Sequence, residues 1–190
     1  MKKLNLLLLA GTAALLSACI PSVNPFYTDK DVIFDPRLLG EWRELETKDR
    51  PEIWKFEASD EKAYKLTTTD KEGKHGEFAA HLFKLKQELF LDLVPSNCDY
   101  ATNQADLVAC AMFPGHLLLR VPQLAPELRL AASDYDWLEK YLKANPKALA
   151  HHRADKQILL TADTRALQRF VLKHLREGEL FAQPGVMVRK

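Results

Sequence analysis

Glu77-Phe78-Ala79-Ala80-His81-Leu82-Phe83-Lys84-Leu85-Lys86-Gln87-Glu88-Leu89-Phe90-Leu91-Asp92-Leu93-Val94 decides the fold of this chain. Residues 77–85 and 88–94 each carry the apolar enrichment and alternation of a β-strand, and Lys86-Gln87 is the polar break between them. A two-residue connection folds the arms into an antiparallel hairpin in which Leu85 faces Glu88, Phe83 faces Phe90 and His81 faces Asp92. Two aromatic rings set opposite one another make a favourable cross-strand pair. Lys-Gln lacks the Asn-Gly chemistry of the tightest turns, so the aromatic pair carries the argument for this register.

Strand signals continue on both sides of the hairpin. Upstream, Trp54 and Phe56 share one strand face, Tyr64, Leu66 and Thr68 another, and Lys71-Glu72-Gly73-Lys74 reads as a polar turn. Downstream, residues 116–121 place Leu117, Leu119 and Val121 on one side, and residues 127–131 turn Leu128 and Leu130 inward; Pro122 and Pro126 confine their connection to a loop or an edge. The period then changes. Ser133, with Asp136 three residues on, resembles an N-terminal cap for a helix whose stripe is Trp137, Leu138, Tyr141 and Leu142, stopped at Asn145-Pro146. Gln157 to Thr161 is a compact strand. Asp163 caps a second helix with Leu167, Phe170, Val171 and His174 on one face and Gly178 as its stop, and Val186 to Arg189 forms a final strand. Strands grouped first and helices later predict an α+β fold, a curved antiparallel sheet in the form of an open or partial barrel with the C-terminal helices packed against it.

At the N-terminus, Lys2 and Lys3 precede an apolar run from Leu4 to Leu16, the pattern of an export signal. The run is short for a membrane-spanning helix, which takes roughly 20 apolar residues. Leu16-Ser17-Ala18-Cys19 at its end resembles the lipobox of bacterial lipoproteins. That resemblance implies cleavage after Ala18, a thioether-linked diacylglyceryl group on Cys19 and an amide-linked acyl chain of the palmitate type. Each buried methylene adds about 0.8 kcal/mol of membrane affinity, so two or three chains anchor firmly where one does not. Ile20 stands where an aspartate would imply retention at an inner membrane, so the implied address is the cell envelope, at the outer membrane of a host that has two. The alternative is an ordinary cleaved signal followed by an incidental cysteine. The expected organisation is a signal peptide over 1–18, a lipidated N-terminus and tether over 19–35, and a single α+β domain over 36–190. Pro21, Asn24 and Pro25 make the tether read as extended chain, with Val32, Ile33 and Phe34 able to dock on the body.

Removal of residues 1–18 takes away Lys2 and Lys3 and no acid, moving the formal charge from +1 to −1. No basic excess remains to collect phosphates, which argues against a nucleic-acid partner. With Cys19 acylated, Cys98 and Cys110 are left, and two cysteines in an exported chain allow one intramolecular disulfide. Such a bridge stabilises by something like 2 to 3 kcal/mol in the chain-entropy account. Metal ligation or thiol chemistry by this pair has no supporting motif, since Cys-x-x-Cys and finger-like histidine spacing are both missing.

Gly40-Glu41-Trp42, opening a first strand after the Asp35-Pro36 turn, resembles the lipocalin and calycin families. In those families the tryptophan plugs the closed end of a β-barrel, which implies a calycin-like sheet here and a possible ligand-lining role for Trp42 and Trp54. Together with Leu89-Phe90-Leu91-Asp92-Leu93 and Ile158-Leu159-Leu160-Thr161-Ala162, this opening also resembles a group of bacterial lipoproteins of unknown function. That second resemblance covers most of the mature chain and implies no activity.

Motifs that name a reaction are missing: the chain has no phosphate-cradling glycine loop, no Gly-x-Ser-x-Gly elbow, no His-Glu-x-x-His and no calcium-loop pattern. No cofactor is implied. The sharpest candidate constellation is His81 opposite Asp92, with His116 on a neighbouring strand, because a carboxylate that orients a histidine builds a general base or a metal ligand. A hydrogen-bonded structural pair on a half-exposed sheet face explains the same residues. His151-His152 reads as a solvated turn and His174 as a core histidine. Three functions are therefore weighed: a non-enzymatic, lipid-anchored envelope module for a protein partner, a calycin-like carrier of an apolar small molecule, and a hydrolase using His81 and Asp92.

Overall fold

The computed structural model describes residues 20–45, 49–96, 114–154, 157–175, 177 and 180–190. Eight strands close into an antiparallel barrel: β1 (Gly40–Glu44), β2 (Ile53–Asp60), β3 (Ala63–Thr69), β4 (His75–Leu85), β5 (Glu88–Pro95), β6 (Leu117–Gln123), β7 (Leu128–Ala132) and β10 (Gly185–Arg189). The first seven follow one another as a meander, and β10 inserts between β7 and β1. The antiparallel sheet with accompanying helices is as expected, but it is closed and not open: β1 pairs with β10 through Trp42 opposite Arg189. The register of β4 and β5 is the one argued above, with Leu85 opposite Glu88, Phe83 opposite Phe90 and His81 opposite Asp92. The Phe83 and Phe90 rings stack at 5.4 Å, and Lys86 takes the left-handed conformation, φ 57°, at the turn.

Alternation along the strands creates two cores, one inside the barrel and one outside. Inside, Trp42, Trp54, Phe56, Tyr64, Leu66, Leu91, Leu93, Leu119 and Leu128 pack with Leu38, which enters from a short 3-10 turn over Pro36–Leu38. Outside, Phe83, Leu85, Phe90 and Leu118 are covered by what the chain places between β7 and β10. That insert is α1 (Tyr135–Ala144), a two-stranded ribbon of β8 (His151–Ala154) and β9 (Gln157–Leu160), and α2 (Thr164–Leu175). Leu138, Leu142, Leu167, Phe170 and Val171 are its buried contributions, at the helical spacing read from the sequence.

Several expectations shift. Asp134, not Ser133, caps α1, its carboxylate accepting from Trp137 N at 2.9 Å; Ser133 belongs to a bridge with Phe181. His151 and His152 sit in β8, because β9 supplies the ladder partner a turn would lack. Pro122 lies within β6, where the pairing with β7 shifts register between Arg120 and Gln123, so the proline is accommodated at an irregularity. Gly40, at φ 108°, approaches Arg189 so closely that a Cβ would stand 2.8 Å from its Nη1.

The largest correction concerns residues 20–35. They do not form a free tether but a strap laid across the barrel's outer face, with Ile20, Ser22, Phe26 and Val32 buried. Ser22 bridges His116 on one side and Leu160 on the other, and Val32 bridges Phe83. The physical reason is the outward row of large apolar groups on β4 to β6, which the strap's own apolar residues help remove from water. Proline lacks a donor but leaves neighbouring backbone groups able to pair. The proposed bridge between Cys98 and Cys110, and Cys19 itself, lie outside the described residues.

Candidate functional site

Asp92, at the middle of β5, points out of the barrel beneath the strap and is fully buried. Its two oxygens serve different partners. Oδ2 accepts from the backbone N–H of Phe26 at 3.0 Å, and Oδ1 lies 2.7 Å from Nδ1 of His116, just before β6. An accepting carboxylate selects the Nδ1–H tautomer of His116. The backbone of His116 exchanges hydrogen bonds with Ser22 at 2.8 and 2.9 Å, so carboxylate, imidazole and strap form one fastening.

His81 shares the backbone register of Asp92 but not its hydrogen bonds. Its ring stacks on Tyr27 at 4.8 Å, and its buried Nδ1 has no partner. Burial pushes His81 below the ordinary histidine value; the nearby charge of His116 acts in the same direction and Asp92 opposes both. Burial, with Asp92 and then Asp29 adding to it, pushes the Tyr27 phenol up to about 12. The structure thus brings His81, Asp92 and His116 together as expected, but the oriented histidine is His116. The sequence alone did not single out Ser22, Phe26 and Tyr27. The signal for them was the apolar spacing of Ile20 and Phe26, masked by the flanking prolines.

A Ser, a His and an Asp therefore converge, which invites a nucleophile reading. The Ser22 hydroxyl faces elsewhere: it lies 3.5 Å from Leu160 O and 3.3 Å from Asn24 N, in a fully buried side chain. A nucleophile must meet its base and its substrate, and this hydroxyl is placed to meet neither. Among the described residues no group of three or more His, Cys, Asp or Glu side chains is arranged to hold a metal ion.

The tryptophans assigned a ligand-lining role stand in the packed interior. Trp42 Nε1–H donates to Leu38 O at 2.8 Å, Trp54 Nε1–H donates to Glu52 Oε1 at 2.6 Å, and Arg189 covers the Trp42 ring at 4.5 Å. Glu52 is buried beside Glu44, whose carboxylate meets Lys71 at 3.1 Å; burial raises the Glu52 pKa, Trp54 opposes the shift and Glu44 adds to it. His174 is a core histidine among Trp137, Tyr141 and Phe170, its Nδ1 bonded to Glu177 at 2.5 Å. An open cleft of about 410 Å³ lies outside the barrel between the strap and the β2–β3 turn, lined by Tyr27, Asp29, Val32, Asp60, Glu61, Lys62, Ala63 and His81. No known protein family, no characterised protein and no solved structure matches this chain.

Proposed function

We propose that this protein is a lipid-anchored, non-enzymatic module of the bacterial cell envelope, exported by residues 1–18, acylated at Cys19 and presenting a closed β-barrel to a protein partner. The observation that carries the reading is the use of Asp92. The one oriented carboxylate–histidine pair in the candidate site holds the N-terminal strap to the barrel, and a fully buried carboxylate with both oxygens occupied serves attachment better than turnover. Its chemistry supports a body firmly joined to the chain that leads from the anchor. Among the described residues no helix is long and apolar enough to cross a membrane, so in this reading the acyl chains make the attachment. The implied address is the outer membrane where the host has one.

Growth with an alkyne-tagged fatty acid tests the proposal. The parent protein should carry the tag and sediment with membranes, and Cys19→Ala should lose both properties. Untagged parent protein, free in solution, would overturn the anchor. Crosslinking on intact cells should return a stoichiometric protein partner, and repeated failure to find one would remove the binding role. A second reading, a calycin-like small-molecule carrier, is favoured by the closed barrel. Because the interior is filled by side chains, its site would be the outer cleft, whose size falls in the range of ligand pockets. Saturable binding of an apolar probe that is lost on mutation of Tyr27 would support it.

A further inference from the structure

We infer that the protein partner docks at the outer cleft between the strap and the β2–β3 turn, seating an arginine or lysine side chain against Tyr27 and His81, with Asp29, Asp60 and Glu61 around it. This rests on the partner reading above and deepens it by naming the surface used and the chemistry that recognises it. The fold builds the cleft at a change of neighbours along β4. One edge of β4 pairs with β3 as far as Tyr64 opposite Ala80, while β5 occupies the other edge through to Leu85. From Leu82 onward the strap takes over the first edge: Ile33 N donates to Leu82 O and Lys84 N to Asp31 O, both at 2.9 Å. His81 stands at the changeover, where neither β3 nor the strap pairs with it, and the cleft of about 410 Å³ opens there. Its walls are held by the body: Val32 is buried and bridged to Phe83, and the Tyr27 ring stacks on His81 at 4.8 Å. The His81 imidazole makes no hydrogen bond of its own to the fold at its buried Nδ1.

Charge and an exposed aromatic ring select the occupant. Asp29 on the strap, Asp60 at the end of β2 and Glu61 in the turn are exposed and line the cleft, against Lys62 as the one basic lining residue. Asp60 accepts from Glu61 N at 3.0 Å, and no ion pair among the described residues engages Asp29, Asp60, Glu61 or Lys62. Burial, then Asp92 and Asp29, keep the Tyr27 phenol protonated, and burial keeps His81 neutral near pH 7, so neither ring offsets the acidic rim. A cation entering here meets carboxylates and an aromatic ring together, and both attract it. The second observation is Phe34, one of two large apolar side chains exposed among the described residues. It lies two residues beyond Val32 on the strap, and its ring stacks at 4.9 Å on Tyr64, the residue after Ala63 in the cleft wall. Protein interfaces favour aromatic anchors and arginine. A partner segment that carries a basic side chain next to an apolar one matches cleft and ring at once.

The test uses the full-length protein in the cells that make it. Photoreactive p-benzoylphenylalanine replaces Phe34 or Lys62 beside the cleft, or Lys147 or Gln183 elsewhere on the surface, all four exposed. Irradiation should join one protein to the two cleft positions, with the crosslink mapping beside an arginine or lysine of that protein, and should leave the other two positions empty. Asp60→Asn with Glu61→Gln should lower the yield several-fold, and so should Asp29→Asn, a second variant on a different element. In isolated envelopes the yield should fall as salt rises from about 0.05 to 0.5 M, because rim charges are screened. Reversing the mapped basic residue of the partner to glutamate should lose the crosslink, and Asp60→Lys with Glu61→Lys should restore it. A stoichiometric partner captured only at Lys147 or Gln183, or captured at the cleft with a yield that ignores both acid variants, would overturn this site and leave the partner reading standing. No stoichiometric partner from any of the four positions would overturn both.

Discussion

Asp92 shows how one side chain can unite distant parts of a chain. Replacing it with alanine leaves the Phe26 N–H and the His116 imidazole without their acceptor in a buried site. We expect Asp92→Ala to lose about 3 kcal/mol in urea unfolding and to speed hydrogen exchange over residues 22–34. His81 bears on pH. Its folded-state value is depressed, so the unfolded chain binds the extra proton first as pH falls. Its cost to stability is therefore absent above the ordinary histidine value near 6.5, grows as pH drops through it, and is complete below the depressed folded value. His81→Phe should flatten the acid limb of the melting temperature between about pH 7 and 5 while changing little at pH 8; an unchanged slope would refute this. The His81–Asp92 pairing was legible because a two-residue turn leaves few registers. The partnership with His116 was not, because it depends on where a long connection returns the chain.

At the scale of elements, both ends of α1 and the start of α2 were legible to within a residue, since amphipathic spacing survives any tertiary context; the stop read at Gly178 lies outside the described residues. Two adjacent residues, Ser133 and Asp134, can both cap, and the choice fell to the carboxylate because Ser133 pairs with Phe181. Asp134→Ala should cost about 1 kcal/mol in thermal or chemical unfolding, and Ser133→Ala should leave α1 intact by circular dichroism. The strap was misread for a different reason. Its prolines and asparagine break strand alternation, and its long-range backbone bonds are made to His116, β4 and β9, far away in the chain. Local pattern carries no record of such partners. The β8 strand was missed likewise, since a half-buried His151 and an exposed His152 become a strand only when β9 lies alongside.

The whole molecule is a barrel with two cores, and its insert makes the second. Chain placed between β7 and β10 returns over β4 to β6 and, with the strap, hides the outward aromatic row that a bare barrel would expose. Closure itself is a joint product of the chain's ends: Arg189 covers Trp42 and donates to the carbonyls of Leu39 and Arg37 at 2.8 and 2.6 Å, beside the Leu38 plug. The interior is filled by the indoles and leucines that alternation had already turned inward, which directs attention to the outer surface.

Sequence by itself determined most of the barrel strands, their inward faces, the central hairpin register and the two amphipathic helices, because each is set by periodicity or by neighbours within a few residues. Only the tertiary structure decided that the sheet closes, that residues 20–35 bind the body and that Asp92 belongs to His116 and Phe26. Those outcomes join residues far apart in the chain, and their free energy comes from burying surfaces that exist only once both partners are in place.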